Sequence, residues 1–449
     1  MRIKLDIPLS LSEIANAVGG DLKCADAIIN HVTTDSREVE CGDLFIALCG
    51  SNSDGNLYAG EAVSRDGYVL GSRCASIYTS DARAAIPGLV KEYKRRLPCL
   101  LYTVAITGSV GKTTTKELTK IILSGKFKVH ANLGNYNNEL GMLHTVLSAR
   151  RDTEVLVVEM GMNHKGEISR LSRAVEPDIA LITNVGTAHV GNLGSRENIA
   201  KAKLEISDGM SGGTLIVPNN EPLLNGGYPK HRVSIGRTDG DSCLTISSVG
   251  DEETTFSFTG KHLKLKDQTV RLVGTHLMTS LAFALSAADI IGVDDGAVRS
   301  SLKIIDSSCL RQKRLKIGRY EIYDDTYSSS PEAAIAVMEA MTRSGYQVSA
   351  VLGDMLELGA QSNELHRRVG EAAAGCGIKK LYLFGKYATE TADGALASGM
   401  PRESVFINGE MENYKATADQ IRNSYDGELL IVKASHDMHA ERIFEFLKD

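Results

Sequence analysis

At 449 residues, with 43 per cent hydrophobic and 24 per cent charged side chains, the chain has length for about three domains and is too apolar to be disordered. Fifty Lys and Arg against 56 Asp and Glu leave a formal charge of -6, which excludes the basic excess of a dedicated nucleic-acid binder. Apolar runs are only strand-sized and the eight cysteines form no C-x-x-C pair, so a membrane span, a zinc ribbon and a thioredoxin-like motif are excluded. No secretory pattern opens the sequence, and a cytoplasmic protein with reduced thiols is expected.

The first hundred residues predict short glycine-broken elements: a helix over Leu11 to Val18, a strand over Asp43 to Leu48, and a charged helical stretch over Val90 to Arg96 that ends before Pro98. From Leu101 the pattern becomes strand, Gly-rich turn and helix, with the helix over Lys112 to Leu123. Val155 to Val158 and Ile179 to Ile182 are unbroken apolar runs, as expected of strands covered on both faces of a parallel sheet. Alternating residues between Thr214 and Val273 predict antiparallel hairpins, followed by a helix over His276 to Ile291. After Arg314, strand and helix alternate again, the last pair being Leu429 to Lys433 and Met438 to Leu447. The expected fold class is α/β, with a small N-terminal α/β domain over 1–98, a central domain with a mostly parallel sheet over 99–313, and a doubly wound C-terminal domain over 314–449.

The strongest chemical signal is Thr107-Gly108-Ser109-Val110-Gly111-Lys112-Thr113. Glycines let consecutive N–H groups curl around phosphate oxygens, the lysine neutralises β and γ charge, and the hydroxyl suits Mg²⁺. The loop lies between a strand and a helix N-terminus, where an anion is favoured. Ile106 stands where the full P-loop pattern has its first glycine, so this is a shortened variant. Glu159 closes a buried strand at the sheet edge where ligands sit, and the carboxylate of a P-loop site commonly occupies that place. His189 follows the next strand at the same edge. With no N-K-x-D motif, ATP is the expected nucleotide rather than GTP.

Further stretches carry a family resemblance: Asp35-Ser36-Arg37, Thr113-Thr114-Thr115-Lys116-Glu117, Asn135-Tyr136-Asn137-Asn138-Glu139, Glu159-Met160-Gly161, Ala200 to Ile206, Asp324-Asp325-Thr326-Tyr327 and Leu352 to Gly359. Together, in this order, they resemble the Mur ligases. The resemblance implies a UDP-sugar domain, a central ATPase domain and a Rossmann-like domain that closes on the amine substrate. It implies an ATP- and Mg²⁺-dependent ligase of peptidoglycan precursor synthesis, acting as a monomer, that joins D-Ala-D-Ala to UDP-MurNAc-tripeptide through an acyl phosphate. Lys112, Glu159, His189 and Lys203 would be catalytic, with Thr113, Glu159, His189 and a carbamylated Lys203 as metal ligands. Gly108, Ser109, Val110, Gly111, Lys112, Thr113, Thr114, Asn138, His276, Arg314 and Asp325 would bind the nucleotide. Ser36, Arg37, Asn135, Asn137 and Tyr327 would bind substrate.

Departures are as legible as matches. The family usually has His-x-Glu where this chain has His189-Val190-Gly191, and Gly-x-His-Asn-x-x-Asn where this chain has Gly274 to Ser280 with Leu277 in place of the first amide. Leu277 is therefore expected to weaken adenine readout. Ser328, Ser330, Ala434 and His436 replace groups suited to a dipeptide carboxylate. They leave open a paralogue with another amine or acyl acceptor, or a catalytically weak nucleotide-binding partner protein.

Overall fold

The computed structural model describes residues 2–50, 53–225, 231–250, 252–306, 313–343, 345–410 and 413–448. Three sheets succeed one another along the chain, of six, nine and six strands. In the second, the strand Tyr102–Thr107 lies between Val155–Glu159 and Ile179–Ile182, parallel to both. Its side chains divide by period two: Val104, Ile106, Val155, Val157, Ile179 and Leu181 join a core with the helices Lys112–Ser124 and Thr275–Ile291. Ala105, Leu156, Val158, Ala180 and Ile182 join another, with the helices Glu139–Leu147 and Glu167–Val175. Two covered faces explain the unbroken apolar runs.

The expectation of antiparallel hairpins between Thr214 and Val273 holds for only half that stretch. Thr214–Pro218 and His231–Gly236 extend the sheet in parallel, and only Ser242–Val249, Thr254–Thr259 and Lys264–Val270 form an antiparallel meander. Alternation reports which face is buried, whereas strand direction depends on how the connection runs. In the third sheet, Tyr320–Asp325, Leu429–Lys433, Val348–Leu352, Leu381–Phe384 and Val405–Asn408 are parallel neighbours, and Lys313–Ile317 adds an antiparallel edge. The helix expected over Met438 to Leu447 is broken: two 3₁₀ turns, His436–Met438 and Ala440–Arg442, precede a short helix Ile443–Leu447. His439, in left-handed conformation at φ 45°, interrupts it.

The charged stretch before Pro98 is the end of a longer helix, Ala82–Arg95, which contains Pro87. Gly88, next to Pro87, is there for packing: a Cβ would lie 2.3 Å from Ala17 O on the helix Leu11–Val18. This helix also joins the first sheet to the second. Tyr93 is fully buried, and its hydroxyl accepts from Asp6 N (3.1 Å) and Ile7 N (3.3 Å) at the irregularity in the strand Arg2–Ser10 while donating to Ala149 O at 3.2 Å. Lys94 donates to the carbonyls of Val175 and Glu176 at the end of Glu167–Val175, where a cation is favoured. Seven described cysteines are free thiols, Cys309 lying outside the described residues. No described helix is long and apolar enough to cross a membrane.

Tyr93→Phe strands all three backbone groups in a buried place, and about 1–3 kcal/mol of stability should be lost. Chemical denaturation of the two proteins measures it; an unchanged midpoint would count against this joint.

Candidate functional site

The P-loop curls at the C-terminal edge of Tyr102–Thr107, and two glycines are required there. A Cβ at Gly108 would lie 1.8 Å from Thr183 Oγ1, and Gly111 caps the helix Lys112–Ser124 at φ 80°. Asn184, which no sequence motif singles out, shapes the loop. Its Oδ1 accepts from Ser109 N (3.1 Å) and Val110 N (2.9 Å), and its Nδ2 donates to Val110 O (3.0 Å). Lys112 folds back, with Nζ donating to Gly108 O at 2.9 Å and Ser109 O at 3.2 Å.

Glu159 sits below this loop, only 2 per cent exposed. One carboxylate oxygen accepts from Thr113 Oγ1 and the other from Asn137 Nδ2, both at 2.7 Å. Asn132 Oδ1 accepts from its backbone N–H at 2.8 Å, so side chain and main chain are both held. Buried Lys116, one helical turn after Lys112, donates to Asn132 O (2.7 Å) and Gly134 O (3.0 Å) and ties the asparagine-rich loop to the P-loop helix. A hydroxyl and a carboxylate side by side at a phosphate loop fit Mg²⁺, which takes few protein ligands and completes its shell with phosphate and water.

Lys203 is 1 per cent exposed and has no hydrogen-bond or ion-pair partner among the described residues. Burial, with a smaller contribution from the charge of Lys112, pushes its pKa well below the ordinary lysine value. With Gly108, Lys112, Asn137, Gly161 and His189 it lines a small cavity of about 120 Å³. A partnerless buried amine held towards its neutral form is nucleophilic, and conversion to a carbamate would supply the carboxylate that this pocket lacks.

A cavity of about 860 Å³ opens from the P-loop. One end is apolar, with Ile235, Leu244, Ile246, Met278 and Phe283, edged by Asn219, Asn220 and Arg237. At the other end the third sheet contributes Asp325, Tyr327, Lys433 and His436. Buried Lys433 donates to Asp325 (2.7 Å) and Ser328 O (2.6 Å), and the rings of Tyr327 and His436 lie 5.0 Å apart. Ser109 to Thr114, Asn135, Asn137, Glu159, His189 and His276 line the same cavity. Six sequence-derived site residues do not: Gly108 and Lys203 line the small cavity instead, and the other four lie elsewhere. Asn138 caps the helix Glu139–Leu147 by accepting from Gly141 N, and Arg314 stacks on the Tyr346 ring at 4.5 Å. Ser36 donates to Glu61, and exposed Arg37 pairs with Asp35, holding that carboxyl down to about 2; both lie on the first sheet's unit. Leu277 packs away from this cavity. Helical phase turns it into the core, 5 per cent exposed, so it does not line the cavity and Met278 and Thr279 do.

Comparison with known proteins agrees with this geometry. The Mur ligase middle domain matches residues 106–288, and the Mur ligase glutamate ligase domain matches 311–436. The UDP-N-acetylmuramoyl-tripeptide--D-alanyl-D-alanine ligase of Bacillus subtilis (strain 168) is 33% identical, with 98% of each chain covered. The chain belongs to the Mur ligase family. The Escherichia coli (strain K12) ligase of the same name is 32% identical over 86% of this chain and 89% of its own. Among solved structures, MurF from Acinetobacter baumannii superposes with a TM-score of 0.88 at 25% identity, covering 99% of this chain and 100% of that one. MurF from Thermotoga maritima in complex with ADP gives 0.78 at 27%, covering 93% and 96%.

In this Mur ligase the third sheet's unit is docked against the P-loop unit. Glu332, at the start of the helix Pro331–Arg343, accepts from Thr187 N and Oγ1, both at 3.0 Å. The loop Gly353–Gly359 is braced by buried His366, whose Nε2 accepts from Met355 N at 2.9 Å while Nδ1 donates to Ser362 O at 2.7 Å. Only the neutral ring does both. Burial lowers its pKa, so in acid the unfolded chain takes up the proton first. Stability from this group is complete above about pH 6.5 and is lost as pH falls below it. Thermal unfolding across that range should show an acid loss that His366→Gln reduces, because the amide oxygen still accepts and does not titrate; equal acid losses would refute the assignment.

Proposed function

We propose that this chain is an ATP-dependent ligase of peptidoglycan precursor synthesis that joins D-Ala-D-Ala to UDP-MurNAc-tripeptide, releasing ADP and phosphate. The observation that carries it is one cavity running from an intact P-loop with Glu159 to the Tyr327, Lys433 and His436 end of the third sheet. Relatives bearing that activity in their names match 98% and 86% of the chain. Residues 1–98 would hold the UDP-sugar through Ser36 and Arg37, 99–313 the ATP, and 314–449 the amine.

The chemistry follows from positioning and charge. The P-loop amides and Lys112 hold the ATP phosphates. The peptide carboxylate attacks the γ-phosphorus, making an acyl phosphate and ADP; the amine of D-Ala-D-Ala then attacks the acyl carbon, loses a proton and expels phosphate. Mg²⁺, held by Thr113 and Glu159, with His189 and carbamylated Lys203 for a second ion, would neutralise the charge that gathers on the transferred group. Lys112 adds a fixed positive charge from the chain itself. The third sheet's unit screens the site from water, which would otherwise hydrolyse the acyl phosphate. The apolar end framed by Ile235, Leu244, Met278 and Phe283 suits a planar base, so Asn219, Asn220 and Arg237 are our candidates for its polar edge.

Purified protein with ATP, Mg²⁺, UDP-MurNAc-tripeptide and D-Ala-D-Ala should release phosphate only when both acceptor and amine are present, and Lys112→Ala should cut the rate by on the order of 10²–10³. Release that favours a different amino acid or dipeptide would reassign the amine. For Lys203, bicarbonate-depleted buffer should lower the rate and added bicarbonate restore it; a rate indifferent to bicarbonate would exclude the carbamate.

A further inference from the structure

The contact between His189 and the loop Gly353–Gly359 is closer than mere docking requires. Glu357 Oε2 lies 2.5 Å from His189 Nδ1, an ion-pair approach with the N–H not squarely aligned. Both residues are in left-handed conformation at φ 64°, although neither is glycine. Between them the backbones touch: Gly191 N donates to Glu357 O at 3.1 Å. A Cβ at Gly191 would stand 2.7 Å from Glu357 O and from Gly359 N, and one at Gly359 would stand 2.7 Å from Gly191 Cα. From behind, Met355 N is held by His366 and Leu356 N by Ser435 Oγ at 2.9 Å, so the loop arrives with its shape set.

Building on the ligase reading, we propose that Glu357 is the positioning residue for His189, delivered by docking of the third sheet's unit, and that Gly191 is the residue that lets it dock. A carboxylate only accepts, so the imidazole proton is drawn to Nδ1 and Nε2 keeps its lone pair. That is the arrangement in which a histidine serves best as a metal ligand, its other nitrogen oriented by a carboxylate. The missing acidic residue after His189 thus has a physical counterpart. A side chain at 191 would hold off the loop, and the carboxylate comes instead from across the interface.

The test uses the full chain and two readouts. Side-chain ¹⁵N resonances of histidine, with His189 assigned through His189→Gln, report the tautomer at one mildly alkaline pH, the same for every variant. The Nδ1–H form should dominate in the unaltered protein, be lost in Glu357→Ala, return in part in Glu357→Gln, whose amide oxygen still accepts, and be lost in Gly191→Ala with Glu357 intact. In the phosphate-release assay, Glu357→Ala should lower kcat by about 10- to 100-fold with little change in KM for ATP. An unchanged tautomer in Glu357→Ala, or in Glu357→Gln and Gly191→Ala should Glu357→Ala not fold, overturns the proposal, even if kcat falls. The resonance measurement needs no substrate, so its failure is distinct from failure of the ligase reading.

Discussion

The buried carboxylate of Glu159 is the constraint around which the rest is arranged. A charge that deep is tolerated only when its oxygens are occupied, and here Thr113 and Asn137 occupy one each. Thr113 belongs to the P-loop helix and Asn137 to the asparagine-rich loop, so one side chain fixes how two segments approach. Asn132 and Lys116 complete the arrangement by pinning the Glu159 backbone and the loop that carries Asn137. Each of these groups faces the end of the sheet where parallel strands stop, which is where open α/β sheets gather their ligands.

The electrostatics of the site are local. Net charge is -6, yet the P-loop edge holds Lys112, buried Lys116 and Lys203 within one neighbourhood. Lys116 is satisfied by carbonyls, Lys112 curls over its own loop, and Lys203 has no partner among the described residues and is pushed towards the neutral amine. Three lysines of one type thus have three different environments, and only one is left chemically unsatisfied. An acidic chain can hold polyanionic substrates because positive potential is concentrated at a helix N-terminus rather than spread over a surface.

Much of this was legible in the residues. The glycine-rich turn between a strand and a helix, the apolar runs of a doubly covered sheet, and the repeat of strand and helix after Arg314 all follow from local steric and solvation rules, which act within a few residues. Reading went astray where the deciding contact came from far along the chain. Alternation between Thr214 and Val273 showed burial and not direction, so two parallel strands passed for hairpins.

By itself, then, the sequence determined the α/β class, the phosphate loop, the two edge residues Glu159 and His189, and the family the chain resembles. Each rests on neighbours in sequence or on residue types whose chemistry does not depend on distant partners. Tertiary structure alone decided that Asn184 shapes the P-loop, that Lys203 is buried with no partner among the described residues, and that Glu357 meets His189 across 168 positions of chain. Those depend on which surfaces are brought together and how much water is expelled between them, and neither is written in any local pattern.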